Sequence, residues 1–302
     1  MATGEVKSVG RDNLVDYARL GLALAVCLRH TSPYWPLYPV QWAVQAFLAI
    51  SGFYVLRSYE QSASWREFIK KRVLRVGPAF AISLFLVACI GSVPLVLRYY
   101  ATLGLTSATH VVNGPVWSLG AEELAYVLLA VLFALGAYRR VWPIWLLFGL
   151  SCGFMFLGHG SYMRPIALLP SFFAGSLVYL YRDRFGSSVL WIALIPVGFA
   201  VSILPVGALS AFLPGIMLGA AILGARRVTM PRIPDLSYGC YIYHVPLFAL
   251  LGNPSTWVFV PALLGVCAIS WYLIEKPALR LKSNRPALDP AIRTVALEAS
   301  AG

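Results

Sequence analysis

The sequence predicts an all-α fold: a polytopic membrane bundle of about ten transmembrane helices with both termini in the cytoplasm. Three observations lead there. The 302 residues are 59% hydrophobic and only 12% charged, about half the charged share of an ordinary soluble domain, and mean hydropathy is +0.74. Ten apolar runs approach or reach the roughly 17 to 25 residues that cross a bilayer. Lysine and arginine then alternate between the ends of those runs with a strong bias to one side.

The runs are 13–31, 39–57, 76–97, 115–137, 141–158, 165–181, 187–205, 206–224, 236–252 and 256–275. The stretch from Ser187 to Gly224 divides at Pro205, either as one broken hairpin or as two spans with almost no loop. The first run contains Asp16 and Arg19 and lacks a small-residue cleavage site, so it reads as a retained span and not as a removable signal peptide. With the N-terminus inside, all but four of the 24 lysines and arginines fall on the cytoplasmic side. The exceptions are Arg98 and Arg164 in outer loops and Arg19 and Arg29 within the first span. This alternation fits an even number of spans and three parts: a cytoplasmic segment 1–12, one transmembrane domain 13–278 and a cytoplasmic tail 279–302.

The net charge of +12 does not indicate nucleic acid, because that partner needs its basic residues gathered on a water-exposed domain. The five cysteines, Cys27, Cys89, Cys152, Cys240 and Cys267, all lie in apolar segments without Cys-x-x-Cys or His/Cys ligand spacing. Buried free thiols are expected, with no disulfide and no metal. No Gly-x-Ser-x-Gly elbow, phosphate-binding glycine loop or His-Glu-x-x-His site is present, and no bound cofactor is expected. Nothing in the pattern specifies an oligomeric state.

The first span opens on Arg19 and closes on His30. Eleven residues are three helical turns plus about 20°, so the two share a face about 16 Å apart along the axis. Ionisable groups at membrane depth face a bundle interior or a wet cavity, which makes that face a candidate site. In the second span, Ser51-Gly-Phe53 fits close helix packing as well as a site. At the mouth of the third, Lys70, Lys71, Arg72 and Arg75 are either a positive-inside anchor or an anion clamp. In the clamp reading, Arg72 and Arg75 fork onto the phosphates of a nucleotide-bearing donor.

The fourth span is entered by Asn113-Gly-Pro-Val-Trp-Ser-Leu-Gly-Ala-Glu-Glu-Leu-Ala-Tyr126. Ser118 and Glu122 share a face, with Glu122 near the depth of His30. It is either a structural hydrogen-bond hub or the partner of a facing cation or imidazole. A carboxylate that fixes a histidine tautomer is what a general base needs. In the ninth span Tyr238, Tyr241 and His244 form a polar stripe, either a satisfied core network or a site lining. Glu275-Lys-Pro277 ends the last span as ordinary punctuation. Tyr34, Trp35, Tyr38 and Trp42 read as an interfacial aromatic belt.

Taken together, these blocks resemble the acyltransferase family 3 membrane proteins, bacterial O-acyltransferases of surface glycans, antibiotics and other acceptors. Arg19 and His30 match that family's Arg-x10-His, Ser51-Gly-Phe53 its second-span block, and Arg72-x-x-Arg75 with Pro78 its cytoplasmic block. Trp117-Ser-Leu-x-x-Glu122 with Tyr126, Ser237-Tyr-Gly-x-Tyr241-x-x-His244-x-Pro246 and Glu275-Lys-Pro277 match the remaining three. Two positions depart: Gln45 stands where an acidic residue commonly precedes Ser-Gly-Phe, and Ala125 replaces a Phe before Tyr126.

The resemblance implies transfer of an acyl group, most simply acetyl, from cytoplasmic acyl-CoA to a hydroxyl of a glycan or glycolipid at the outer face of a bacterial inner membrane. It implies His30 as general base oriented by Glu122, and Arg19, Arg72 and Arg75 as donor-binding residues. Ser51, Trp117, Ser118, Tyr238, Tyr241 and His244 would line the site. Arg19 has two candidate partners, the arm of the donor or Asp16 one turn away. Two rival readings use the same residues: O-acylation of a small molecule such as an antibiotic, and a transporter built on the buried Arg/His/Glu set.

Overall fold

A large apolar core holds a smaller set of buried polar side chains, and further large apolar ones face out. The computed structural model describes residues 13–31, 37–91, 93–102, 113–137, 140–156, 165–204 and 208–281. The N-terminal segment, most of the expected C-terminal tail, Tyr34, Trp35, His110 and His159 lie outside them. Among the described residues every regular element is helical. Asp235, Glu275, Asn113, Ser118 and His244 are buried, whereas Phe85, Leu150, Trp257 and Leu273 are exposed.

In chain order the helices are α1 (Asn13–Thr31), α2 (Leu37–Glu60), α3 (Trp65–Ala88), α4 (Val93–Ala101), α5 (Trp117–Ala134), α6 (Trp142–Phe156) and α7 (Leu169–Leu180). They continue with α8 (Arg182–Phe185), α9 (Leu194–Ser202), α10 (Ala208–Gly224), α11 (Ser237–Leu250), α12 (Thr256–Ser270) and α13 (Lys276–Arg280). Ten of them overlie the ten expected runs; the third run, 76–97, is divided between the end of α3 and the short α4, and α8 and α13 are additional. Two helical stretches, Gly114–Ala134 and Thr256–Arg280, are by themselves long and apolar enough to cross a membrane.

Three boundaries differ from the sequence reading. Helix α3 begins eleven residues before position 76, because Ser64 caps it: Ser64 Oγ accepts from the Glu67 N–H at 3.2 Å, and Glu67 Oε2 accepts from the Ala63 N–H at 2.9 Å. This reciprocal N-terminal capping puts Arg72 and Arg75 on the helix itself, two to three turns in. The stretch from Ser187 to Gly224 resolves into a 3₁₀ turn Val189–Ala193, α9 and α10. The chain also does not simply stop at Glu275: a π turn, Trp271–Glu275, joins α12 to α13 and directs Glu275 inward.

Helix α2 is the packing centre, held between α7 and α10 and touching α1, α3 and α5. Small residues make this approach possible. A methyl added at Gly52 would run into the Phe172 carbonyl, one at Gly175 into that of Ala49, and one at Gly219 into the Ala49 side chain. In a lipid environment, where apolar burial gives little preference for helix contact, such close backbone approach supplies dispersion contacts instead. The glycine of Ser51-Gly-Phe53 is therefore required by packing, and it turns Ser51 on the neighbouring face toward α5.

Contacts along α11 give the helix directions. Arg19 meets Asp235 and His30 meets His244, so α1 and α11 run the same way. Arg75 also meets Asp235 while Ser83 approaches the Ile242 carbonyl, which aligns α3 with them. Ser118 meets Tyr241 while Tyr126 lies under Arg72, so α5 runs opposite.

Pro246 within α11 removes the N–H that would bond the Ile242 carbonyl. Asn113, at the entrance of α5, compensates by donating Nδ2 to that carbonyl at 3.0 Å and to Ser83 Oγ at 2.8 Å. Thus the residues that break two helices satisfy each other across α3, α5 and α11.

Two outcomes follow for stability. Gly52→Ala should lower the thermal midpoint of the detergent-solubilised protein by the equivalent of about 1–3 kcal/mol through overpacking. Gly21→Ala, which meets open space, should not. Asn113→Ala strands a buried carbonyl and should cost about 1–3 kcal/mol, read by the same thermal unfolding; an unchanged midpoint would contradict the compensation.

Candidate active site

One polar seam runs along the meeting of α1, α2, α3, α5 and α11, and it begins at a carboxylate that the sequence reading did not single out. Asp235 precedes α11 and is 6% exposed. Its Oδ2 pairs with Arg19 at 3.2 Å and with Arg75 at 2.5 Å, while Ser237 Oγ donates to its Oδ1 at 2.7 Å. Arg19 therefore takes Asp235 as its protein partner, and not Asp16: α1, the middle of α3 and the start of α11 meet there, and a carboxylate between two guanidiniums satisfies both at once. A second buried carboxylate, Glu275, lies within electrostatic reach of Arg75 and Asp235.

Arg72 sits one turn before Arg75 but turns toward α2 and α5. Its Nη2 donates to Ser58 Oγ at 2.9 Å, and its guanidinium lies 5.8 Å over the Tyr126 ring and 5.9 Å over that of Phe68. The Arg72 Nε is buried without a hydrogen-bond partner among the described residues. The two arginines thus share a helix but hold different neighbours.

Glu122 occupies the middle of the seam. Ser51 Oγ donates to Glu122 Oε1, and Tyr126 OH donates to the same oxygen at 2.6 Å. The expected pairing of Glu122 with His30 is not what the structure presents, because hydroxyls on α2 and α5 reach the carboxylate first. Nearby, Ser118 Oγ and Tyr241 OH are 2.7 Å apart, and both lie within reach of the Pro115 carbonyl. Tyr238 OH has only a long contact, 3.4 Å, to the Val76 carbonyl. Of the three hydroxyls Ser118, Tyr238 and Tyr241, that of Tyr238 is the least committed.

A cavity of about 50 Å³ opens among these groups, lined by Arg19, Ser51, Ser118, Glu122, Tyr238 and Tyr241 together with apolar residues of α2. That is room for a few waters. Six residues singled out from the sequence, drawn from four helices, share this one space. Trp117 packs at the margin of the core as α5 begins.

His30 lies at the far end of the seam, exposed at the end of α1. Its Nδ1 is 2.8 Å from the Val26 carbonyl and 3.2 Å from Nε2 of His244, whose ring is wholly buried. Tyr241 links this pair to the cavity, its ring centroid 6.3 Å from that of His244. Gln45 lies away from the seam, against Gly215 of α10.

Glu275 belongs to a hydrogen-bonded buried set that adjoins the Arg75 and Asp235 cluster. Ser270 Oγ donates to Glu275 Oε1 at 2.8 Å and is 2.8 Å from Tyr243 OH. This ties α11 to the π turn, so the Glu-Lys-Pro block is interior structure as well as helix-end punctuation. Among the described residues no cluster of His, Cys, Asp or Glu has the arrangement to hold a metal ion.

Against known proteins, the family model of the acyltransferase domain, acyltransferase family 3, matches residues 12–275. "Nodulation protein 10" of Rhizobium leguminosarum bv. viciae is 25% identical over 310 residues, covering 80% of this chain and 83% of that protein. The "O-acetyl transferase" of Shigella phage Sf6 is 26% identical over 341 residues, covering 92% and 99% respectively. No solved structure matches the chain significantly.

Asp235→Ala should leave Arg19 and Arg75 without the carboxylate they share. The expected loss is on the order of 3 kcal/mol, read by thermal unfolding. Adding Arg19→Leu should recover part of it, and full additivity of the two changes would contradict the shared ion pair.

Proposed function

In this chain, which belongs to acyltransferase family 3, we propose that an O-acyl transfer runs along the polar seam. The acyl group, most simply acetyl, comes from acyl-CoA on the cytoplasmic side. The acceptor is a hydroxyl of a glycan or glycolipid at the outer face of a bacterial inner membrane. The observation that carries the reading is the cavity itself: Arg19, Ser51, Ser118, Glu122, Tyr238 and Tyr241 converge on it from α1, α2, α5 and α11.

Orientation rests on the charge bias and on the helix directions. With the N-terminus inside, α1, α3 and α11 run outward and α2 and α5 inward, which agrees with the first, third and ninth of ten spans being parallel. Large exposed side chains such as Phe85, Leu150 and Trp257 suit a lipid surface. In this frame the Arg19, Arg75 and Asp235 cluster faces the cytoplasmic half and His30 the outer half.

The donor's phosphates would meet Arg72 and Arg75, whose guanidiniums can fork onto phosphate oxygens. The arm would extend past Arg19 into the cavity. His30 Nε2 takes the proton of the acceptor hydroxyl as its oxygen bonds the thioester carbonyl carbon. Collapse of the tetrahedral intermediate breaks the C–S bond, and the thiolate recovers that proton from His30. Tyr238, with the weakest existing hydrogen bond, is the preferred donor to the oxyanion. Glu122 acts on the site through Ser51 and Tyr126, holding α2 and α5 in register at the cavity wall.

Membranes carrying the protein and given labelled acetyl-CoA should transfer label to an endogenous lipid or glycan fraction. His30→Ala should reduce transfer about 10²-fold or more, the usual scale of general-base loss. Arg72→Ala should raise KM for acetyl-CoA, and Glu122→Gln should lower kcat. Wild-type transfer by the His30 variant would rule out its role as base.

A further inference from the structure

A histidine that accepts a proton at one ring nitrogen must carry a proton on the other, and something has to keep it there. At most sites a carboxylate does so. Here the carboxylate expected for that task, Glu122, is taken by Ser51 and Tyr126. The group facing His30 is a second imidazole.

The tautomers of both rings follow from their backbone neighbours. His244 Nδ1 lies 2.8 Å from the Tyr241 carbonyl and 3.2 Å from that of Cys240. Carbonyl oxygens only accept, so Nδ1 of His244 carries the hydrogen and its Nε2 is bare. That bare nitrogen is 3.2 Å from Nδ1 of His30. His30 Nδ1 in turn lies 2.8 Å from the Val26 carbonyl, so it too carries the hydrogen. The N–H of His30 is shared between a backbone oxygen and an imidazole nitrogen, and Nε2 of His30 is left with its lone pair.

We propose that His244 is the positioning residue for His30: its Nε2 accepts the His30 Nδ1–H and so presents His30 Nε2 as the base. The ring is well placed for this. It is fully buried and held by two carbonyls on α11, a rigid element. Its ring centroid is 5.0 Å from that of His30, at an interplanar angle of 44°. When His30 gains a proton at Nε2, the bond from Nδ1–H to His244 becomes charge-assisted and strengthens. His244 itself stays neutral, since a proton on its Nε2 would oppose the Nδ1–H of His30. No acidic side chain is needed for the arrangement.

The catalytic meaning rests on the acyl-transfer reading above, but the tautomer is measured without turnover. The chain holds four histidines, so ¹⁵N-histidine spectra of the protein in lipid nanodiscs are assignable by substituting His110 and His159. Wild-type His30 should show a protonated Nδ1 and a bare Nε2. His244→Asn keeps an amide N–H for the Tyr241 carbonyl but loses the acceptor; with only the Val26 carbonyl left to hold the Nδ1–H, the share of His30 protonated at Nε2 should rise. His244→Gln returns an oxygen near the lost Nε2 and should restore the single form.

With labelled acetyl-CoA, the Asn variant should lose about tenfold or more in kcat with KM for acetyl-CoA unchanged, and the Gln variant should recover most of it. A wild-type His30 protonated at Nε2, or a tautomer unaffected by His244→Asn, would overturn the proposal. The predicted tautomers in a protein that transfers no acyl group would leave the positioning role standing and remove the transferase reading instead.

Discussion

Every ionisable group inside an apolar bundle must find a partner there, and in this chain one carboxylate, Asp235, meets that demand for two arginines on different helices. An unpaired charge at such depth is strongly unfavourable. The pairing therefore fixes where α1 and α3 stand relative to α11. The rest of the seam follows from that register. With Arg19 at Asp235, His30 falls beside His244 at the other end of the same two helices.

Backbone constraints act in the same direction. Pro246 frees a carbonyl that only a side chain can satisfy, and Asn113 supplies it from the start of α5. Gly52 and Gly175 let α2 approach α7 closely enough to hold Ser51 toward Glu122. Blocks distant in sequence thus act together because each breaks or thins a helix where another can repair it. Packing, hydrogen bonding and charge are three separate supports for one arrangement of five helices.

The sequence disclosed much of this and missed some of it for physical reasons. Helix positions were legible because apolar runs and charged ends both report them. The residues lining the cavity were legible because polar side chains in apolar runs stand out. Partners were not. Asp235 lies in a short polar stretch before α11, where an acidic residue looks like an ordinary loop charge, and only the fold carries it to Arg19. The sequence puts Glu122 near the depth of His30, but α5 runs against α11, so with Ser118 at Tyr241 and His30 at His244 the carboxylate falls nearer the arginine end, where Ser51 and Tyr126 claim it. The early start of α3 was hidden because its first turns are charged, although Ser64 and Glu67 carry the capping signal. Glu275 looked like punctuation because a π turn, which redirects it inward, leaves no periodic mark.

The central claim is directional: donor at the arginine end, base at the histidine end, and a seam between them. Sealed vesicles of opposite orientation test it most directly, with labelled acetyl-CoA supplied outside and a hydroxyl acceptor trapped within. Transfer should occur when the Arg72 and Arg75 face is outside, and should fail in the reverse orientation even though His30 is then on the donor's side. Equal transfer in both orientations, or transfer only from the His30 side, would contradict the account.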